Sequence, residues 1–540
     1  MSSWNFADVW EVVAEKIPEA PALLHGDRRY TWDETNTRAN GIASAILESG
    51  VSQQNSVAQY LYNCPEYLES TFAIFKAGLV PVNTNYRYGP KELAYLWDNS
   101  DAVAVIFHAS FLPLVSQLRA DLPKIHAWIW VNDGTGGSCP EWAFDYQKCA
   151  ARGTGDNLRA PWSRSPDDVY MLYTGGTTGM PKGVMWRQDD LFSVINEGGF
   201  CFYPPEGTLD DVRNTLSMPG PVHLSACPLM HGTGAFTAFN ALDTGGSVVT
   251  MTSRAFDVVE LLDTVESAQV NVISIVGDAF AKPILAALDA DPGRWDISSL
   301  KIIISSGVMW SEQTKEGLLK HHGGMLLADT FSSSEALGMG MSVSSAGGSS
   351  RTATFTIGEH ARIVDDEGKE VAAGEVGRLA VRGRTPIGYY KDEDKSARTF
   401  PIIDGVRYSI PGDYAYAEAD GTVHLLGRGS QCINTGGEKV YPEEVEEVLK
   451  LHPDIRDAAV VGIPDERFGE VIWAVVEPAP GADLDTAEIV QFVKDRLASY
   501  KAPRGVVAVH SVGRSPSGKL DYKAAKERAV AARDASTSYS

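Results

Sequence analysis

Four short apolar runs, each closing in a glycine or polar turn, constrain this chain more than any other feature. They are VAVIF (103–107), DVYMLYTGG (168–176), NVISIVG (271–277) and LKIIISSG (300–307). Continuous runs rich in β-branched residues mark strands buried on both faces. Between some of them lie apolar residues at spacings of three and four, as in Val258, Val259, Leu261, Leu262 and Val265, the stripe of a helix packed on a sheet. Buried strands alternating with helices predict an α/β fold of layered subdomains with mostly parallel sheets. Ligands of such folds sit beyond the carboxyl ends of the strands, where these glycine turns fall.

At 540 residues the chain is too long for one core, so at least two domains are expected. The texture changes after Gly427. The segments VEEVLKLHPDIRDAAVVGIPD, VIWAVVEP and AEIVQFVKDRLASYKAPRGVVAVHSV alternate helix and strand in short units, predicting a separate small α+β domain. The polar, glycine-rich stretch GRGSQCINTGG (427–437) marks the boundary, and the small polar residues from about Ala529 are expected to fray.

Charge and composition then narrow the function. A net charge of −23 argues against a nucleic-acid binder, which needs a basic face. It leaves room for a small anionic ligand held by a few placed Lys and Arg. The six cysteines form no C-x-x-C pair and fit reduced thiols of a cytoplasmic protein. Asp8, Glu11 and Glu15 stand where a signal peptide would be apolar. No apolar run approaches the ~20 residues of a membrane span.

The densest chemical signal is Tyr173-Thr174-Gly175-Gly176-Thr177-Thr178-Gly179-Met180-Pro181-Lys182-Gly183. Its glycines let backbone N–H groups approach an anion, and its threonines and lysine add donors suited to phosphate oxygens. A mobile surface loop is the plain alternative. A second stretch, Gly513 to Leu520, almost spells the P-loop pattern. Leu520, however, occupies the place of the magnesium-binding hydroxyl, and only 21 residues follow Lys519. What survives there is a lysine on a flexible turn. The adjacent His321 and His322 do not share a helix face, and no H-E-x-x-H spacing exists, so no structural metal is expected.

The order of motifs resembles the adenylate-forming superfamily of acyl-CoA synthetases, firefly luciferases and peptide-synthetase adenylation domains. YTGGTTGMPKGV resembles its phosphate loop, with Gly175 in place of a serine. PLMHGTG (228–234), FSSSE (331–335), GEVGRLAVRG (374–383) with GYYKDEDKSARTF (388–400), IPGDYAYAEADG (410–421), GRGSQCINTGGEKVYPEEVE (427–446) and RSPSGKLD (514–521) follow in the family's order. The likeness covers nearly the whole chain, and within the superfamily it is nearest to actinobacterial fatty-acyl or steroid side-chain CoA ligases.

That resemblance implies an adenylation domain over 1–427, a hinge at 428–431 and a mobile C-terminal lid over 432–540 carrying the catalytic Lys519. It implies that Thr174, Gly175, Gly176, Thr177, Thr178, Gly179 and Lys182 hold the ATP phosphates. Glu335 would ligate Mg2+, beside Ser332, Ser333 and Ser334, with Ser334 on the α-phosphate. Ser306, Gly307, Val308, Asp329 and Phe331 would frame the adenine, and Asp413 with Arg428 would hold the ribose. His231 would line the acyl channel, a capped or core histidine being its plain alternative. Gly436 and Gly437 would leave room for the thiol of coenzyme A. The chain departs from the family pattern at Gln431, Ser332 and Pro411.

The implied activity is acid–CoA ligation. A carboxylic acid reacts with ATP to give acyl-AMP and pyrophosphate, and the acyl group then passes to CoA. Coenzyme A is expected over a carrier protein because no carrier segment is appended. Oxidation of the luciferase kind, a different acceptor, a non-catalytic nucleotide or acyl-CoA binding protein, and a homodimer stay open, as does the choice between a fatty acid and a steroid side-chain carboxylate.

Overall fold

The computed structural model describes residues 4–175, 180–199, 202–308, 310–435, 438–465, 468–515, 518 and 520–537. They fall into two compact units: Met1–Thr352 with Val381–Ser409, and Ala353–Ala380 with Ile410–Ser540.

The first unit begins with a helix, Phe6–Lys16, whose Asn5 side chain caps the Ala7 N–H. Phe6 and Trp10 bury their rings among Phe72, Phe75 and Phe239, so this helix is a folded part of the core. One sheet runs in parallel through Ala127–Val131, Ala102–His108, Ser56–Tyr60, Val80–Asn83 and Val169–Thr174, then turns antiparallel at Lys182–Arg187. A second orders Pro21–His25, Ser247–Thr250, Val222–Ser225, Val272–Ile275, Ile302–Ser306 and Leu326–Ser333 in parallel, closed by the antiparallel Ala336–Ser344. All four strands predicted from apolar runs are present. The helix Val258–Ala268 buries Leu261, Leu262 and Val265 of the expected stripe, whereas Val259, also placed in that stripe, is exposed.

The second unit is mainly antiparallel. Thr354–Ile357 and Asp413–Ala417 flank Thr422–Arg428, and Gly377 and Arg378 pair with Ala415 and Tyr414. The mostly parallel character expected up to residue 427 therefore stops near residue 352, and the expected boundary at Gly427 lies inside this unit. Beyond it, Ile455–Asp465 and Gly469–Pro478 form a long antiparallel hairpin, with Gly505–Ala508 parallel to its second strand. The helices Pro442–Lys450 and Tyr522–Thr537 pack on this sheet. The expected fraying from Ala529 is corrected: Ala525 and Ala529 are buried against Val461, Ile463 and Val475, which orders the last helix.

Candidate active site

The glycine-rich loop is the connection of a β-hairpin. Thr174 ends one strand, Lys182 opens the next, and the two residues are register partners. The antiparallel pairing of these strands thus fixes both ends of the loop. Gly176, Thr177, Thr178, Gly179, Gly436, Gly437 and Lys519 lie outside the described residues.

Asn83 anchors the strand that feeds the loop. Its side-chain carbonyl accepts the Tyr173 N–H at 2.6 Å, while its amide donates to the Tyr173 carbonyl at 2.9 Å and to the Met230 carbonyl at 2.7 Å. One buried amide therefore ties the strand that enters the glycine-rich loop to the residue preceding His231. His231 is half-buried at the start of the helix Gly232–Asp243, its N–H on the Pro228 carbonyl at 3.1 Å. Gly234 is required here, because an added methyl would strike that carbonyl.

Lys182 pairs with Asp392, whose carboxyl this hydrogen bond holds below the usual carboxylate range. Asp392 ends a short segment in which Gly388 and Tyr389 pair with Met185 and Val184. Tyr389 turns its hydroxyl to Glu335 Oε1 at 2.8 Å. Trp186, on the strand that begins at Lys182, donates its indole N–H to the Ser334 carbonyl at 3.0 Å. Lys182, Ser334 and Glu335 are thus brought to one region by a shared strand.

Glu335 and Ser334 form the turn between Leu326–Ser333 and Ala336–Ser344. Ser333 Oγ accepts the Ala336 N–H at 3.1 Å and Ser332 Oγ the Gly338 N–H at 3.3 Å, so these hydroxyls brace the turn. The glycine-to-serine departure at Ser332 is accommodated in that way. Glu335 is 7% exposed and pairs with no basic side chain among the described residues. A buried carboxylate left without a cation partner suits a divalent metal ion. Among the described residues no group of three or more His, Cys, Asp or Glu side chains could hold a metal ion. His321 and His322 turn to separate partners, Asp289 and the Leu300 carbonyl.

The expected adenine residues cluster at the carboxyl ends of two adjacent strands. Ser306 pairs in register with Thr330, Gly307 follows in the left-handed region at φ +91°, and Val308 packs on the core. Asp329 is buried with the Lys315 ammonium 3.6 Å away. Burial pushes its carboxyl up to about 6, with Lys315 pulling the other way. Phe331 sits two residues on, opposite Gly340.

In the second unit, Asp413 and Arg428 are register partners on neighbouring strands, Arg428 Nε donating to Asp413 Oδ1 at 3.3 Å. A buried carboxylate beside one guanidinium is suited to accepting two sugar hydroxyls. Gln431 lies in the single turn Gly429–Gln431 that follows.

Sequence reasoning missed Asn83 and Tyr389. For Asn83 no local pattern exists. For Tyr389 the motif was recognised, but its partner lies 54 positions away.

Residues 10–390 match the family of AMP-binding enzymes, and residues 444–519 match the AMP-binding enzyme C-terminal domain. The chain is 39% identical over 536 residues to a medium/long-chain-fatty-acid–CoA/3-oxocholest-4-en-26-oate–CoA ligase of Mycobacterium marinum, covering 98% of this chain and 97% of that protein. It is likewise 39% identical over 535 residues to a 3-oxocholest-4-en-26-oate–CoA ligase of Rhodococcus rhodochrous, covering 97% and 96%. Among solved structures, an anthranilate CoA ligase in complex with anthranoyl-AMP superposes with a TM-score of 0.85 at 23% identity, over 99% of each chain. No helix among the described residues is long and apolar enough to cross a membrane.

Proposed function

This chain belongs to the AMP-binding enzyme family, and from that premise we propose that it is an ATP-dependent acid–CoA ligase acting on an apolar carboxylic acid. The observation that carries the reading is its end-to-end likeness to CoA ligases of fatty acids and of a steroid side-chain carboxylate.

In the first half-reaction a carboxylate oxygen attacks the α-phosphorus of ATP and pyrophosphate leaves. Charge builds on the phosphoryl oxygens, so the chain must supply fixed cations and donors. Lys182, at the end of the glycine-rich hairpin, serves the β- and γ-phosphates. Lys519 serves the α-phosphate and the incoming carboxylate. Mg2+, when bound, neutralises phosphate charge, and Glu335 is the residue that would hold it. Asp329 and Phe331 position the adenine, and Asp413 with Arg428 the ribose. In the second half-reaction the thiolate of CoA attacks the acyl carbonyl and AMP leaves. Residues 428–431 are the hinge and 432–540 the lid in this account, and the enzyme works in the cytoplasm.

Both classes of acid named for the relatives, medium- or long-chain fatty acids and sterol-derived side-chain acids, share an apolar body and one terminal carboxylate. The test is a panel of such acids with ATP, Mg2+ and CoA, scored for AMP and acyl-CoA together. Equal amounts of both products with at least one acid are expected. AMP without thioester would point to another acceptor, and no product with any acid would contradict the reading.

A further inference from the structure

Glu335 is held twice. Its main-chain carbonyl accepts the Ser409 hydroxyl at 2.5 Å, and Oε1 of its side chain accepts the Tyr389 hydroxyl at 2.8 Å. Its second carboxylate oxygen accepts no hydrogen bond among the described residues. Tyr389 is itself immobilised. Its backbone N–H donates to Ser396 Oγ at 2.8 Å, and the adjacent Tyr390 N–H donates to the Gly183 carbonyl at 2.8 Å. Its ring is 4% exposed and lies 5.6 Å from the Phe400 ring, with the Lys395 ammonium 4.3 Å from its centroid.

A phenol is well chosen for this position. It donates one hydrogen bond but brings no charge, so it orients the carboxylate without neutralising it. A lysine or arginine there would pair with Glu335 and compete with a metal. Outer hydrogen-bond partners of this kind set the direction and basicity of a ligating oxygen. The same short segment ends at Asp392 on Lys182, so it carries contacts to both a cationic and an anionic group of the expected triphosphate site.

We propose that Tyr389 is a positioning residue for the divalent-cation site: its hydroxyl fixes one oxygen of Glu335 and so aims the other at the metal. The proposal rests on the ligase reading above and extends it to a residue that need not touch substrate.

The test is Mn2+ uptake by the full-length protein with a non-hydrolysable ATP analogue, followed through the spin-resonance signal of free Mn2+. Tyr389→Phe keeps the buried ring and should weaken Mn2+ uptake about ten-fold, with an unchanged melting temperature as the control. In a Glu335→Gln background the same substitution should cost nothing further. Unchanged Mn2+ affinity in Tyr389→Phe, or a full additional loss in the Glu335→Gln background, would overturn the proposal. Wild-type protein that takes up no Mn2+ with the analogue overturns it together with the metal assignment. Wild-type protein that takes up Mn2+ but exchanges no pyrophosphate counts against the ligase reading instead.

Discussion

The Glu443 side chain is packed directly on Gly427: a methyl group added at Gly427 would overlap its carboxyl. Glu443 stands in the first turn of Pro442–Lys450, and Gly427 immediately precedes the expected hinge. Burial pushes the Glu443 carboxyl above its ordinary range. Glu446 and Asp413 push it the same way, while the Arg428 N–H pulls it back.

A raised carboxyl favours the neutral form in the folded state. Its contribution to stability is present below the ordinary glutamate range and is lost as pH rises through the raised value. Glu443→Gln removes that loss. The variant should melt higher than wild type at pH 8, by about 2–4 °C if the gain is about 1 kcal/mol in a unit of this size. The gap should close near pH 4.5. A thermal melt at both pH values checks this, and a constant gap would contradict it.

Asp329 and Lys315 form a buried pair, with Lys315 also donating to Ser350 Oγ at 3.0 Å. Removing one partner strands the other charge, which typically costs about 3–5 kcal/mol. Asp329→Ala should therefore destabilise the protein sharply, and Asp329→Ala with Lys315→Met should recover much of the loss. Chemical denaturation of the single and double variants measures it.

Much of this arrangement is legible in the sequence, and the limit is set by distance along the chain. Thr174 and Lys182 are eight positions apart, and a glycine-rich loop between apolar runs already implies that they meet. Asp413 and Arg428 are joined by one short hairpin. By contrast, Tyr389 meets Glu335, and Asn83 meets Tyr173 and Met230, across 54, 90 and 147 positions. Such contacts follow from strand order, which no local periodicity encodes. The extent of the second unit is hidden for the same reason: Gly377 reaches Ala415 and Thr354 reaches His424 through antiparallel ladders with no marker in composition.

Asn83→Ala deletes three hydrogen bonds at once and leaves the Met230 carbonyl without its donor. A buried group stranded this way costs about 1–3 kcal/mol. The loop entry should also loosen, so the KM for ATP should rise several-fold more than the KM for CoA. Steady-state kinetics with each substrate varied in turn distinguishes this from a general loss of folded protein.

Lys519→Ala should cost on the order of 10²–10³ in the rate of acyl-AMP formation, the usual worth of one preorganised charge at a developing oxyanion. Thioester formation from supplied acyl-AMP should survive largely intact. Assaying the two half-reactions separately decides it, and equal losses in both would remove Lys519 from its assigned role.

The most direct measurement is exchange of labelled pyrophosphate into ATP without CoA, across a panel of fatty and steroid side-chain acids. Exchange that requires both a particular acid and Mg2+, and that Lys519→Ala slows by on the order of 10²–10³, is the predicted result. Purified protein that binds ATP yet exchanges no label with any acid would contradict the account.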